Sequence, residues 1–512
     1  MQIRLHNSHR FVAAAIVLVQ WAFMLTGLAH QSLWIDEWFT VQNIVGPWAD
    51  VLPKLIAEER RPPLYWLVLK SWTAPSGTSE FSMHLLSVIF AVVATSVIWQ
   101  VTRRMIGRRD ALLATALFAW TPFLLLYGRM VRSYSLFALL VVISVLCWRQ
   151  FEKKPSRGAW LAYAAALASV IYTDYGAIAM LGVHGLWWAW QFLQRRTRAS
   201  LAGIAAVVTA FVLFAPWASV LVQQSARSVG GMAADLASSP LGALMKIAMP
   251  FVSLSTGETL YPWTPLGIIG VLILNGTAAI GLWKLVRTRP STSTFIVLWI
   301  VVTLAFTATL LTLVAVDITF MNATSRSPHL TAVLALLAAL GIGSLPRHTR
   351  ITVIAAVVVV WGAGYVNYFR LAEYHNPIYA IPSRDIAARM RAEDAHTLIV
   401  AESDTLVPYY FRSAPAQAQL IEVGINTSIS VVEQRIANDG PAHVEIAWFG
   451  RDRTAGGFDT PALGEWLTRH GYVETRREEY GNVGDSYLAI KSRLICRETY
   501  RAKLTVQRFE RK

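Results

Sequence analysis

Long apolar runs constrain this chain more than any other feature. A hydrocarbon core about 30 Å thick takes roughly 20 apolar residues of helix to cross, and in lipid every backbone N–H and C=O must be satisfied within the protein. We read eleven such runs, near residues 11–29, 82–102, 110–127, 134–150, 158–173, 175–193, 200–222, 264–286, 294–316, 329–345 and 350–369. Those at 110–127, 134–150, 158–173 and 329–345 are short for a crossing. With 55% hydrophobic residues and a mean hydropathy of +0.44, the 512-residue chain is expected to be an α-helical polytopic membrane protein.

Charge gives the expected orientation. Cytoplasmic loops gather Lys and Arg, and a cytoplasmic N-terminus puts Arg103, Arg104, Arg108, Arg109, Lys153, Lys154, Arg195, Arg196, Arg347 and Arg350 on that side. Of the acidic residues before position 370, only Asp110 and Glu152 join them, while Asp36, Glu37, Glu58, Glu59, Asp174 and the others fall outside. The net charge of +15 therefore follows topology, dispersed over short loops, and argues against a nucleic-acid partner. Arg4 and Arg10 before the first run resemble a signal-peptide start, but the length of that run favours its retention as a span. Cys147 in a span and Cys496 near the end give neither a disulfide framework nor a cysteine zinc site.

Two regions break the apolar pattern. The first external loop, 30–81, is too long for a plain connector and reads as one or two amphipathic helices at 38–48 and 51–58. The loop at 223–262 is richer in Gly, Ser and Ala and reads as more mobile. After a transmembrane domain at 1–375, residues 376–491 alternate strand-like and helical stretches and predict an extracytoplasmic α/β domain. Its strands are expected at 397–401, 419–423, 444–449, 472–476 and 487–490, with helices at 383–392, 428–438 and 461–470. Residues 492–512 are basic and carry no assignment.

The external face collects the residues able to do chemistry. Asp36-Glu37 lies among aromatic and apolar neighbours soon after the first run. Ionisable groups at a membrane are costly and usually functional, although an Asp there also suits a helix cap at Glu37. The same loop carries Glu58-Glu59-Arg60-Arg61-Pro62-Pro63-Leu64-Tyr65. Later connections carry Tyr127-Gly128-Arg129-Met130-Val131-Arg132-Ser133-Tyr134, Tyr172-Thr173-Asp174-Tyr175 and Arg326-Ser327-Pro328-His329. Arginine matches phosphate with two parallel hydrogen bonds, and a carboxylate beside a hydroxyl serves as general base. Each arginine also suits a plain headgroup anchor, and Asp174 also suits a span cap.

In order and position these motifs resemble the GT-C superfamily of integral-membrane glycosyltransferases, in the bacterial branch akin to protein O-mannosyltransferases and lipid A aminoarabinose transferases. Asp36-Glu37 matches the acidic pair that opens the first external loop, and Arg61-Pro62-Pro63-Leu64-Tyr65 resembles a His-Pro-Pro-Leu-Tyr-like step. Arg132, Tyr134, Ser135 and Leu136 match a Tyr-Ser-x-Glu-x-Arg-x-Tyr-Ser-Leu-like pattern, in which Met130 replaces the acid. Asp174 stands where relatives often have His, and Arg326 with Pro328 loosely meets a late Arg-x-x-x-Pro-like pattern.

The resemblance implies a bacterial inner-membrane enzyme, a glycosyltransferase of the EC 2.4 class. It would move a sugar from a polyprenyl-phosphate donor, with inversion, to a glycan, lipid or protein outside the cytoplasm. It implies Asp36 as catalytic base, with Glu37 beside it. Arg132, Arg326 and Arg129 would bind the donor phosphate, and Arg61, Tyr65, Tyr134, Asp174 and His329 the substrates. No cofactor or metal is assigned, and a divalent ion stays open. The rival readings are a polymerase or ligase of lipid-linked glycans and, less favoured, a transporter or flippase. Transporters usually show inverted repeats and polar midplane helices, and neither is visible here.

Overall fold

The computed structural model describes residues 2–28, 33, 35–228, 240–257, 260, 264–313, 327–370, 383–424, 427–449, 459–480 and 504–512. The chain divides into two compact units, one of residues 1–28 with 40–366 and one of residues 29–39 with 367–512. The sequence division at residue 375 falls outside the described residues.

The first unit is helical, and helices occupy all eleven apolar runs. By length and composition, seven described helices are able to cross a membrane, or eight if one bent pair counts as a single span. The eleven runs expected as crossings correspond to twelve helices, because 110–127 is broken into two, and Arg157–Ile171 and Leu330–Ser344 are shorter apolar ones. The bent pair, Arg108–Ala119 and Pro122–Arg129, turns by 54°. Its cause is local, because Pro122 disfavours helical backbone at the preceding residue and Thr121 is extended at ψ 132. Elsewhere polar caps start the helices. Ser79 accepts from the Ser82 amide, Ser156 from Ala159, and Thr264 from Gly267 ahead of the Pro265 start.

Small residues let two helices meet at backbone distance. A Cβ built on Gly281 would lie 1.9 Å from the Leu337 carbonyl oxygen, and one on Gly341 would lie 1.8 Å from that of Thr277. Helices Pro265–Thr288 and Leu330–Ser344 therefore touch through glycine, as small-residue stripes allow in membranes. Aromatic stacking fills another interior region, with Trp148 on Phe295 at 3.8 Å and Trp187 edge-on to Trp148 at 5.4 Å.

The first loop is more structured than one or two surface helices. Helices Trp48–Glu58 and Leu64–Ser76 follow Ile35–Gln42. Lys70 fixes the turn between the first two by donating to the carbonyls of Ile44 (2.7 Å) and Gly46 (2.6 Å). Gln224 donates to the Leu55 carbonyl at 3.1 Å, tying this loop to the helix Arg198–Ser228. The loop read as mobile, 223–262, contains the helix Pro240–Thr256. Its Pro-Leu-Gly-Ala-Leu-Met start carries enough apolar character to offset the flanking Gly and Ser.

The second unit holds a five-stranded sheet of β1 (Thr397–Glu402), β2 (Gln419–Val423), β3 (His443–Phe449), β4 (Tyr472–Tyr480) and β5 (Leu504–Arg511), in the order β2-β1-β3-β5-β4. β1 pairs parallel with β2 and β3, and β5 pairs antiparallel with β3 and β4. Helices Ser383–Arg391, Ile429–Asp439 and Thr460–Arg469 follow the expected positions within a residue or two. Leu398, Val444, Ile446, Leu463 and Phe509 form its apolar core. The expected strand at 487–490 lies outside the described residues. Residues 504–511, left unassigned within the basic segment, form β5, an interior strand between β3 and β4. Its arginines hid the pattern, yet Leu504, Val506 and Phe509 are buried, while Arg508 pairs with Glu393 at 2.8 Å.

Candidate active site

In the helical unit, three connections that the sequence placed on one face do meet. Pro62 and Pro63 end the chain run from Glu59 and start the helix Leu64–Ser76, since proline suits the beginning of a helix. The Leu64 amide donates to the Tyr172 carbonyl at 2.9 Å, which brings the first loop onto the 172–176 turn.

Arg61 is thereby aimed at Asp174. Its Nη1 donates to Asp174 Oδ2 at 3.1 Å and to Ser133 Oγ at 2.9 Å, and its Nη2 to the Tyr134 hydroxyl at 3.4 Å. The guanidinium also sits 4.8 Å from the centre of the Tyr134 ring. Asp174 uses its other oxygen to accept from the Gly176 amide at 2.8 Å. Side-chain exposures of 6% for Arg61 and 1% for Asp174 make this a buried ion pair, which needs such extra hydrogen bonds to offset desolvation.

A second pair runs alongside. Arg132 lies 3.7 Å from Glu59 and donates to Thr40 Oγ1 at 2.9 Å, with its guanidinium 5.9 Å from the Trp66 ring centre. Residues 59–61 and 132–134 thus face each other, with Glu59 set against Arg132 and Arg61 against Ser133 and Tyr134. Met130, which stands where the resembled pattern has an acid, is buried, and Glu59 gives Arg132 a carboxylate partner.

Arg129 donates to the Thr26 carbonyl at 3.0 Å, while its own carbonyl contacts His84 Nδ1 at 2.6 Å. The Tyr65 hydroxyl bonds Ser87 at 3.0 Å, and Tyr134 is edge-on to Tyr127 at 5.1 Å. His329 sits apart, 3.4 Å from the Thr303 hydroxyl and packed on Phe137 and Trp299. Arg326 lies outside the described residues. Asp36 and Glu37 occupy the first turn of the helix Ile35–Gln42, where carboxylates favour the positive end of the helix dipole. Glu37 is 3% exposed and Asp36 is half-buried. Because the helix begins at Ile35, Asp36 is a first-turn residue and not its cap.

Arg61, Tyr134, Asp174 and Arg132 are therefore gathered, and Glu59, Thr40 and Ser133 join them although sequence reasoning gave them no role. Glu59 carried a legible signal, since it lies two residues before Arg61 in the same motif. Thr40 and Ser133 carried none. Among the described residues, no three His, Cys, Asp or Glu side chains converge on a metal-sized site.

Residues 60–219, which include the Arg61–Asp174 pair and Arg132, match the sequence model of the dolichyl-phosphate-mannose-protein mannosyltransferase family. The structure is similar to a crystal structure of ArnT from Cupriavidus metallidurans in the apo state, at 14% identity over 98% of each chain, with a TM-score of 0.54. It is similar to the same protein bound to undecaprenyl phosphate, at 14% identity over 97% of each chain and a TM-score of 0.54. An oligosaccharyltransferase from Archaeoglobus fulgidus aligns at 12% identity over 84% of this chain and 67% of its own, with a TM-score of 0.45. None of the curated proteins matches the sequence significantly. In fold the chain is ArnT-like and over residues 60–219 it is similar to the mannosyltransferases, so it resembles the GT-C superfamily of membrane glycosyltransferases.

Proposed function

We propose that this chain transfers a sugar from a polyprenyl-phosphate-linked donor to an acceptor hydroxyl outside the cytoplasm, with inversion. One observation carries the reading. The stretch that matches the mannosyltransferase family holds the buried Arg61–Asp174 pair and Arg132, whose partner Glu59 directly precedes the stretch, inside an apolar helical unit. The ArnT complex with undecaprenyl phosphate adds support, since that lipid is the leaving group such a donor would release.

In this reading the acceptor oxygen attacks the anomeric carbon as the bond from that carbon to the phosphate oxygen breaks. Asp36 takes the acceptor's proton, and Glu37 holds Asp36 in place. Arg132, with Arg129 and Arg326, offsets charge growing on the departing phosphate, the kind of preorganised electrostatic assistance that usually dominates catalysis. Arg61 and Asp174 act by fixing the 132–134 segment, on which Tyr134 also lies. Tyr65 and His329 offer ring faces to sugar or lipid.

The test is release of polyprenyl phosphate by the purified full chain in detergent against a panel of polyprenyl-phosphate sugars. Asp36→Asn should fold normally and lose about 10²–10⁴ in turnover, the usual scale of general base catalysis. Near-normal turnover in that variant would remove Asp36 from the mechanism. Arg132→Ala should weaken donor use roughly tenfold to a hundredfold, as loss of a charged hydrogen bond predicts. Lys at that position should recover only part, because it lacks the bidentate fork.

A further inference from the structure

Away from this cluster, a cavity of about 630 Å³ opens between the starts of helices Arg157–Ile171 and Arg198–Ser228. Phe151, Trp160, Leu161, Ala202 and Ala205 make its walls almost wholly apolar, and Arg157 and Arg198 stand with Ser156 at the helix starts. Trp160 closes one side by donating its indole N–H to the Ala202 carbonyl at 2.8 Å. The space falls in the range of small-molecule sites, about 300–1,000 Å³.

We propose that this cavity binds an anionic diacyl phospholipid, with an acyl chain between the two helices and the headgroup phosphate between Arg157 and Arg198. Three observations favour that occupant. Both arginines are exposed and neither makes an ion pair among the described residues. Glu152, the acid closest in sequence to Arg157, is paired with Arg149 at 2.6 Å, and Asp174, the one closest to Arg198, is paired with Arg61. Two helix N-termini, whose dipoles favour negative charge, open at the same mouth. Ser156 and Thr197 satisfy only one amide each there, those of Ala159 and Ser200.

The reach of the cavity agrees with this choice. Its lining runs from Arg198 to Ala205, about 10 Å of helix rise, which suits the headgroup-proximal part of one acyl chain. Basic pockets between membrane helices hold anionic headgroups in this way. The site is independent of the proposed transfer reaction and uses none of its residues.

Native mass spectrometry of the full chain in detergent, titrated with phosphatidylglycerol or phosphatidylcholine, tests the proposal. The wild type should retain phosphatidylglycerol preferentially. Arg157→Gln with Arg198→Gln should lose about fivefold in affinity per arginine, from roughly 1 kcal/mol for each cation near an anionic lipid. Ala205→Trp, which fills the cavity, should lower retention of both lipids. Equal retention of the two lipids by the wild type overturns the headgroup assignment, and unchanged retention by Ala205→Trp overturns the cavity. Displacement of phosphatidylglycerol by equimolar undecaprenyl phosphate would instead make this a donor-lipid site and likewise overturn the proposal.

Discussion

Asp174 spends both carboxylate oxygens inside the protein, one on Arg61 and one on the Gly176 amide. Asp174→Asn should therefore leave a buried guanidinium without its counter-charge, at a cost of about 3–5 kcal/mol. Denaturant or thermal unfolding in detergent reads that loss, and Arg61→Met added to Asp174→Leu should regain much of it, since an apolar pair leaves no charge stranded. A substrate-binding role alone would alter activity and leave unfolding unchanged. Glu445 in β3 gives a pH prediction. Burial, then the charge of Glu393, push its carboxyl above the usual range, while Arg508 at 3.3 Å pulls it back. A carboxyl raised on folding contributes most below its unfolded pKa and loses that contribution as pH rises to the folded value. Sheet stability, read by hydrogen exchange, should thus fall across that window in the wild type and stay flatter in Glu445→Gln. At this scale the charged residues of the cluster were legible, because arginines and acids stand out between apolar runs, while the hydroxyls of Thr40 and Ser133 were not. Their pairing was not, because Glu59–Arg132 and Arg61–Asp174 join residues tens of positions apart.

At the scale of elements, long apolar runs placed the membrane helices well, since a bilayer leaves the backbone few alternatives. What sequence left out was the contact between elements. A glycine ordinarily weakens a helix, whereas Gly281 and Gly341 are each the surface on which a facing carbonyl rests. Gly341→Val should overpack this crossing and cost at least ~1–3 kcal/mol, measured by unfolding in detergent. Gly276→Ala, where nothing lies within 4 Å of the added carbon, is the neutral or slightly stabilising control. Equal effects at the two positions would remove the close crossing from the account. The break at Thr121-Pro122 stood in the sequence, but the run 110–127 around it read as one span because apolar character continued across the proline.

For the whole molecule, the charge asymmetry of the loops predicts the side on which the sheet lies. A reporter fused after Lys512, beyond β5 and not before it, should read as extracytoplasmic; a cytoplasmic readout would require an even number of crossings or a reversed N-terminus. The division into a membrane region and a small α/β region was legible from composition alone. The role of 504–511 was not, because a strand whose polar face is arginine looks like a basic segment until its acidic neighbours are known. That placement bears on synthesis. Among the described strands β4 has no partner other than β5, and β3 has β5 on one side, yet β5 emerges from the ribosome more than twenty residues after β4. For the seconds that translation takes at about 5–20 residues per second, the nascent sheet presents two open edges of the kind that attract foreign strands. The sheet is thus most vulnerable to misassembly between the appearance of β4 and that of β5, after the hydrophobic helices before it have already been delivered.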